Sequence, residues 1–114
     1  MYPEMPGAWV LLQIQDKYHI LAGWRGGYTQ GESWRRSTPV VKTVVNDGRA
    51  LAVTASGTHY DLSLNEAMYC TTRLTHDIAE RHEEDANQAG IFFRILTLQE
   101  AIQTLKTFEG DCNE

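Results

Sequence analysis

Two hydrophobic periods follow one another along this chain. Over residues 9–62 apolar positions alternate or cluster in short β-branched runs, whereas from residue 63 onward they recur every three to four positions. A period of two sends side chains to opposite faces of a strand, and a period near 3.6 lines one face of a helix. The first half therefore predicts a β-meander and the second half helices.

Residues 9–15 mix an apolar run with alternation, and residues 18–24 are rich in strand-favouring side chains. With a turn at Asp16-Lys17 they predict a hairpin whose first strand is fairly buried. Residues 25–32 carry three glycines and predict a flexible loop. Residues 33–39 resume extended structure, with Pro39 marking an edge or a bulge because proline has no N–H for the ladder. Residues 40–45 are strongly β, and Asn46-Asp47-Gly48 is the best hairpin signal, since all three tolerate positive φ. Residues 49–54 return, and Ala55-Ser56-Gly57 turns the chain into residues 58–62. The expectation is five strands on short connections, a meander able to curl into a small, partly open barrel.

Ser63 and Glu66 have the spacing of a capping box, in which each side chain accepts from the other residue's backbone N–H. Leu64, Met68, Leu74, Ile78 and His82 follow at helical spacing, with Thr71 filling the gap. Either one helix reaches Ala89, or two helices break near residues 72–75 with Thr75 capping the second; Gly90 supplies the stop. Residues 91–96 predict a further strand. Thr97 and Glu100 form a second capping box, and Ala101, Ile102, Leu105 and Phe108 line a final helix that stops at Gly110. Strands first and helices after point to an α+β fold, not to a doubly wound parallel sheet.

Composition narrows the setting. With 42% apolar and 22% charged residues the 114-residue chain is too apolar to be disordered, and its length suits one domain with no linker. Residues 1–8 lack a basic stretch, and residues 9–12 fall far short of the about 20 apolar residues a span requires. No membrane partner is expected, and a cytoplasmic setting is. Cys70 and Cys112 lie far apart without a CxxC pair and are expected to be free thiols. The net charge of −5 divides into +2 over residues 1–60 and −7 over residues 61–114, so the two halves should present different faces.

Three groups of residues are candidates for chemistry. His76 and Glu80 are four apart, the spacing that puts two metal ligands on one helix face, with Glu83 or Glu84 able to join. His82 faces away, however, and the paired-histidine zincin spacing is absent. The plainer reading is a solvated acidic face of Asp77, Glu80, Glu83, Glu84 and Asp85, with no metal or other cofactor. The second group, Trp24, Arg25, Tyr28, Trp34, Arg35 and Arg36, brackets the glycine-rich loop. Aromatic rings among guanidinium groups stack bases, hold phosphates or anchor a protein interface. Alternation puts Trp34 and Arg36 on one strand face and Arg35 on the other, and the glycines lack nucleotide-loop spacing. Third, Ser56, His59 and Asp61 fall close together near a turn, but no oxyanion device accompanies them and turn chemistry explains them equally.

The stretch Ser33-Trp-Arg-Arg-Ser-Thr-Pro-Val-Val, with Asp47-Gly-Arg and Thr54-Ala-Ser-Gly-Thr-His-Tyr-Asp-Leu62, resembles short uncharacterised proteins of phages and bacterial mobile elements. The resemblance covers two strands with their turns and implies a β-hairpin unit. Proteins of that origin include inhibitors of host defence, anti-CRISPR proteins among them. The leading expectation is a non-enzymatic module that binds a protein partner through the acidic helix or the Trp/Arg loop. A nucleic-acid-binding module using the Trp/Arg cluster is the first alternative, and a small metal-dependent enzyme centred on His76 and Glu80 the second. Homodimerisation through an exposed strand edge stays open.

Overall fold

In the computed structural model, which describes residues 3–25, 32–69 and 73–108, seven strands and two helices follow the order β1 (Ala8–Ile14), β2 (Lys17–Arg25), β3 (Glu32–Arg36), β4 (Val40–Asn46), β5 (Arg49–Thr54), β6 (His59–Ser63), α1 (Arg73–Ala89), β7 (Phe93–Ile95) and α2 (Leu98–Thr107). The fold is α+β, and its strands form two antiparallel sheets, ordered β3-β2-β1-β7 and β4-β5-β6, with no closed barrel. Helix α1 packs on one face of the four-stranded sheet, while the three-stranded sheet and α2 cover the other. No described helix is long and apolar enough to cross a membrane.

Strand β1 organises both cores. Ala8 through Leu12 are all fully buried. Trp9 and Leu11 point into the larger core with Ile20, Tyr60, Leu62 and Leu105, and Val10 and Leu12 into the smaller one with Leu21, Ile78 and Phe93. That is why residues 9–12 read as a continuous apolar run: a strand covered on both faces loses its alternation. Its hairpin with β2 turns at Gln15-Asp16, one residue earlier than expected, because Lys17 is drawn into register opposite Ile14 and Gln15 takes the positive φ of 57°. The β4–β5 hairpin turns at Asp47 (φ 39°) and Gly48 (φ 81°), a primed two-residue turn whose twist matches the flanking strands.

The meander has one more strand than expected, since residues 33–45 divide between the two sheets at Ser37. The Ser37 N–H donates to the Ile20 carbonyl (2.8 Å), but the Ile20 N–H turns to the Ser37 hydroxyl (2.9 Å). The Ser37 carbonyl accepts from His19 Nδ1 instead (2.8 Å). A side chain thus closes the ladder, and Pro39 follows where the chain changes sheet.

The Ser63/Glu66 capping box does not form. Ser63 is the last residue of β6, its carbonyl accepts from Trp9 Nε1 (2.7 Å), and its hydroxyl accepts from the Asn65 N–H (3.2 Å). Asn65 caps a single 3-10 turn over Glu66–Met68 in its place. Leu64 and Met68 therefore precede the long helix, and Thr75 lies within α1 instead of capping it. Between them, Tyr69 sets its ring edge-on to Trp9 (centroids 4.8 Å apart), and its hydroxyl accepts from the Leu11 N–H (3.1 Å) and donates to the Leu96 carbonyl. This hydroxyl completes the β1 edge where the β7 ladder ends. Cys70, Thr71, Gly110 and Cys112 lie outside the described residues.

The second capping box is present. The Thr97 hydroxyl accepts from the Glu100 N–H (3.2 Å) and the Glu100 carboxylate accepts from the Thr97 N–H (2.9 Å). That backbone donor first, and Arg94 at 2.9 Å after it, hold the Glu100 carboxyl below its ordinary value of 4.5. Gly90 (φ 75°) ends the turn after α1.

Truncating Leu11 to alanine should cost about 3 kcal/mol in urea unfolding, since the lost side chain leaves a cavity in a core closed on every side. Partial burial lowers the His19 pKa below 6.5 by desolvation, against the Ser37 carbonyl bond that raises it. The unfolded chain then binds the proton more readily, so stability is full above pH 6.5 and falls as pH drops from 6.5 through the folded value. Urea midpoints taken from pH 7.5 to 5 should show this decline, and a His19→Gln variant should flatten it.

Candidate functional site

Helix α1 presents three kinds of surface. At 100° per residue, Ile78, Ala79 and Ala86 point to the sheet and are buried, while Asp77, Glu80 and Glu84 form the outer ridge. Asp85 and Glu83 fall on opposite flanks, about 160° apart, so the five acids expected on one face span three. Glu80 is paired with His76 at 3.0 Å. Asp77, Glu83, Glu84 and Asp85 have no hydrogen-bond or ion-pair partner among the described residues. His76 and Glu80 thus form an i,i+4 pair, and no group of three or more His, Cys, Asp or Glu among the described residues is placed to hold a metal ion.

The Trp/Arg cluster is split by the sheet, as strand alternation requires. Arg35 lies on the face shared with Trp24 and Tyr60, its guanidinium 5.4 Å from the Trp24 ring centroid and 6.0 Å from that of Tyr60. It also reaches Glu4 at 3.5 Å. Glu4 is itself held against β6, donating its N–H to the His59 carbonyl (2.8 Å) and accepting from the Asp61 N–H (2.8 Å). Arg35 is thereby a strap that ties the edge of the larger sheet to the N-terminal segment, over an open concavity of about 430 Å³. Trp34 and Arg36 project from the opposite face, toward α1. Trp24, Trp34 and Arg35 all line the concavity beside Glu4, whereas Arg36 lines a separate cleft, so the cluster does not converge as a whole. Arg25 closes β2 opposite Glu32, and Tyr28 lies outside the described residues.

What the split creates is a seam between β3 and α1. Trp34 is 41% exposed and meets the His82 ring edge-on at 5.9 Å, and His82 stacks on Phe93 at 6.5 Å. His82 Nδ1 donates to the Ile78 carbonyl one turn back (2.8 Å). Beside these rings lies a cleft of about 340 Å³ with Ile14, Ala86, Ile91 and Phe93 as its apolar lining. Arg36 and Asp85 also line it, and neither makes an ion pair or hydrogen bond with any described residue. An apolar pocket with a few convergent polar groups is the usual form of a recognition site. The two candidate surfaces of the sequence, one basic and aromatic and the other acidic, converge here through Trp34, Arg36 and Asp85.

His82, Ile91 and Phe93 were not among the expected site residues. The signal for His82 was its place in the apolar stripe of α1, four residues after Ile78, where an imidazole needs a partner. Ser56, His59 and Asp61 are absorbed by local structure: His59 Nδ1 donates to the Gly57 carbonyl (3.1 Å), Ser56 bonds Thr38 (3.1 Å), and Asp61 in β6 accepts from Arg49 of the neighbouring strand (2.7 Å). Comparison with known protein families, curated proteins and solved structures returns no match to this chain.

Because Arg36 and Asp85 have no hydrogen-bond or ion-pair partner among the described residues, replacing either by alanine should change stability by less than about 0.5 kcal/mol. Chemical denaturation of the two variants checks this. A larger loss would mean that the seam serves the fold and not recognition.

Proposed function

We propose that this chain is a non-enzymatic protein-interaction module that binds a basic surface of a partner protein through α1 and the adjoining seam. The observation that carries this reading is the set of unpartnered carboxylates, Asp77, Glu83, Glu84 and Asp85, standing on one helix beside an open cleft with an aromatic rim. Carboxylates that the fold does not use cost little in water, and they gain value when a partner's cations meet them in a desolvated contact. The aromatic and apolar groups of the seam supply the anchoring area that charge alone lacks. The resemblance of residues 33–62 to proteins of phages and mobile elements supports an inhibitor of a host-defence complex as the instance to test first. In that setting the acidic ridge would occupy a basic patch that otherwise receives phosphates.

Reversing Glu80, Glu83, Glu84 and Asp85 to lysine should weaken capture of the partner at least tenfold at low salt, equivalent to about 1.4 kcal/mol. Raising the salt should weaken the wild-type complex in the same direction. Pull-down from host lysate followed by titration of the captured protein checks both effects, with circular dichroism confirming that the variant is folded. Unchanged binding by the reversed variant would remove the acidic surface from the mechanism. Anisotropy titration against single- and double-stranded DNA and RNA is the control, and tight binding there would favour the nucleic-acid reading.

A further inference from the structure

The two sheets have four edges, and three of them are blunted. The β6 edge is covered by the segment around Glu4 through two backbone hydrogen bonds of 2.8 Å each. Strand β4 carries a bulge between Val40 and Lys42, and β7 is only three residues long. Short strands, bulges and covering segments are the ordinary means by which sheet edges avoid further pairing. Among the described residues, strand β3 has none of them. It ends the four-stranded sheet, runs five residues with neither proline nor bulge, and has β2 as its one strand neighbour among the described residues.

The ladder fixes which of its groups are free. Residue 37 donates to Ile20, so positions 35 and 33 are the hydrogen-bonded partners of Ala22 and Trp24. The N–H and C=O groups of Glu32, Trp34 and Arg36 consequently point away from β2. We infer that this edge receives a second copy of the same strand, antiparallel, about a two-fold axis at Trp34. In that register position 34 faces 34 and position 32 faces 36, all three of them positions whose backbone groups are free. About six inter-chain hydrogen bonds follow from the antiparallel pattern. The charges agree with it: the acid at 32 of one copy lies opposite the base at 36 of the other, twice per dimer, and opposite charges directly across a pair stabilise it. A centre between two residues matches bonded positions with free ones, a centre at 33 or 35 faces only two of these three free positions with each other, and a centre at 35 also sets arginine against arginine. The centre at Trp34 uses all three free positions and sets opposite charges across the pair. An isologous contact of this kind closes on itself, leaving no edge to propagate.

Gel filtration with light scattering at roughly 100 µM, a concentration that populates a dimer of micromolar Kd, should give twice the chain mass of 12.9 kDa. Arg36→Glu should give a monomer by setting like charges opposite each other, and the exchange Glu32→Arg with Arg36→Glu should restore the dimer. Trp34→Pro should also give a monomer, because it removes the central free N–H while the bonds to β2 run through 33 and 35. A wild-type mass of 12.9 kDa at that concentration would overturn the inference. So would a dimer that Arg36→Glu leaves intact, or a folded exchange variant that stays monomeric.

Discussion

The burial of β1 on both faces and along both edges is the constraint from which the rest of the structure follows. Five successive residues, Ala8 to Leu12, have no contact with water, so every backbone group and every side chain among them needs a protein partner. Strand β2 supplies one edge, and β7 with the Tyr69 hydroxyl supplies the other. The one polar group in those side chains, the Trp9 indole N–H, finds the Ser63 carbonyl at 2.7 Å. A strand so placed must be covered by two layers, which is why a chain of this size carries both a second sheet and a long helix. Distance from β1 then sorts the elements by what they are free to do. The elements beside it are committed to packing, and β3, one strand further out, is where an aromatic ring and unpaired charge stand exposed.

Much of this was legible because local rules and the fold agree. The Asp47-Gly48 turn, the Thr97/Glu100 box and the Gly90 stop each depend on a few adjacent residues, and nothing distant competes for them. The alternation that separates Trp34 and Arg36 from Arg35 is equally local and holds. The Ser63/Glu66 box failed because its groups had other claims: β6 pairs Ser63 with Arg49, and Trp9 takes the Ser63 carbonyl. A capping box is a tendency of the unpaired chain, and strand pairing outranks it. The same logic explains the extra strand, where Ser37 uses its hydroxyl to end one sheet before Pro39 admits the chain to the next.

What no local pattern contains is the return of β7 to β1. Leu12 pairs with Ile95 across most of the chain's length, and only that pairing swings residues 91–93 against α1 to make one wall of the cleft. Asp85 and Arg36 belong to segments that the sequence kept apart, as members of an acidic helix and a basic loop. Their approach to a common cleft depends on α1 crossing the face of β3, a contact decided by which side of the sheet offers Val10, Leu12 and Leu21. The site was thus invisible as a unit although three of its members, Trp34, Arg36 and Asp85, had been named singly.

The two proposed surfaces are geometrically compatible, and each strengthens the other. Residues directly opposite in an antiparallel pair project to the same face, so pairing two copies of β3 keeps both Trp34 and both Arg36 side chains on the face that α1 covers. Both clefts then open on one side of a continuous sheet, with the two acidic helices flanking the two-fold axis. A partner presenting basic groups at matching intervals would meet two such helices at once, and the second contact would form at high effective concentration without any new interaction. Arg36 and Asp85 then divide the labour. In the proposed dimer the Arg36 backbone joins the strand pair with position 36 facing position 32 of the second copy, and Asp85 in the cleft is left to meet a partner's cation. An arginine and an aspartate left unpaired across one small cleft cost an exposed surface little, and the two proposals give them a role, each with a counterpart on another chain.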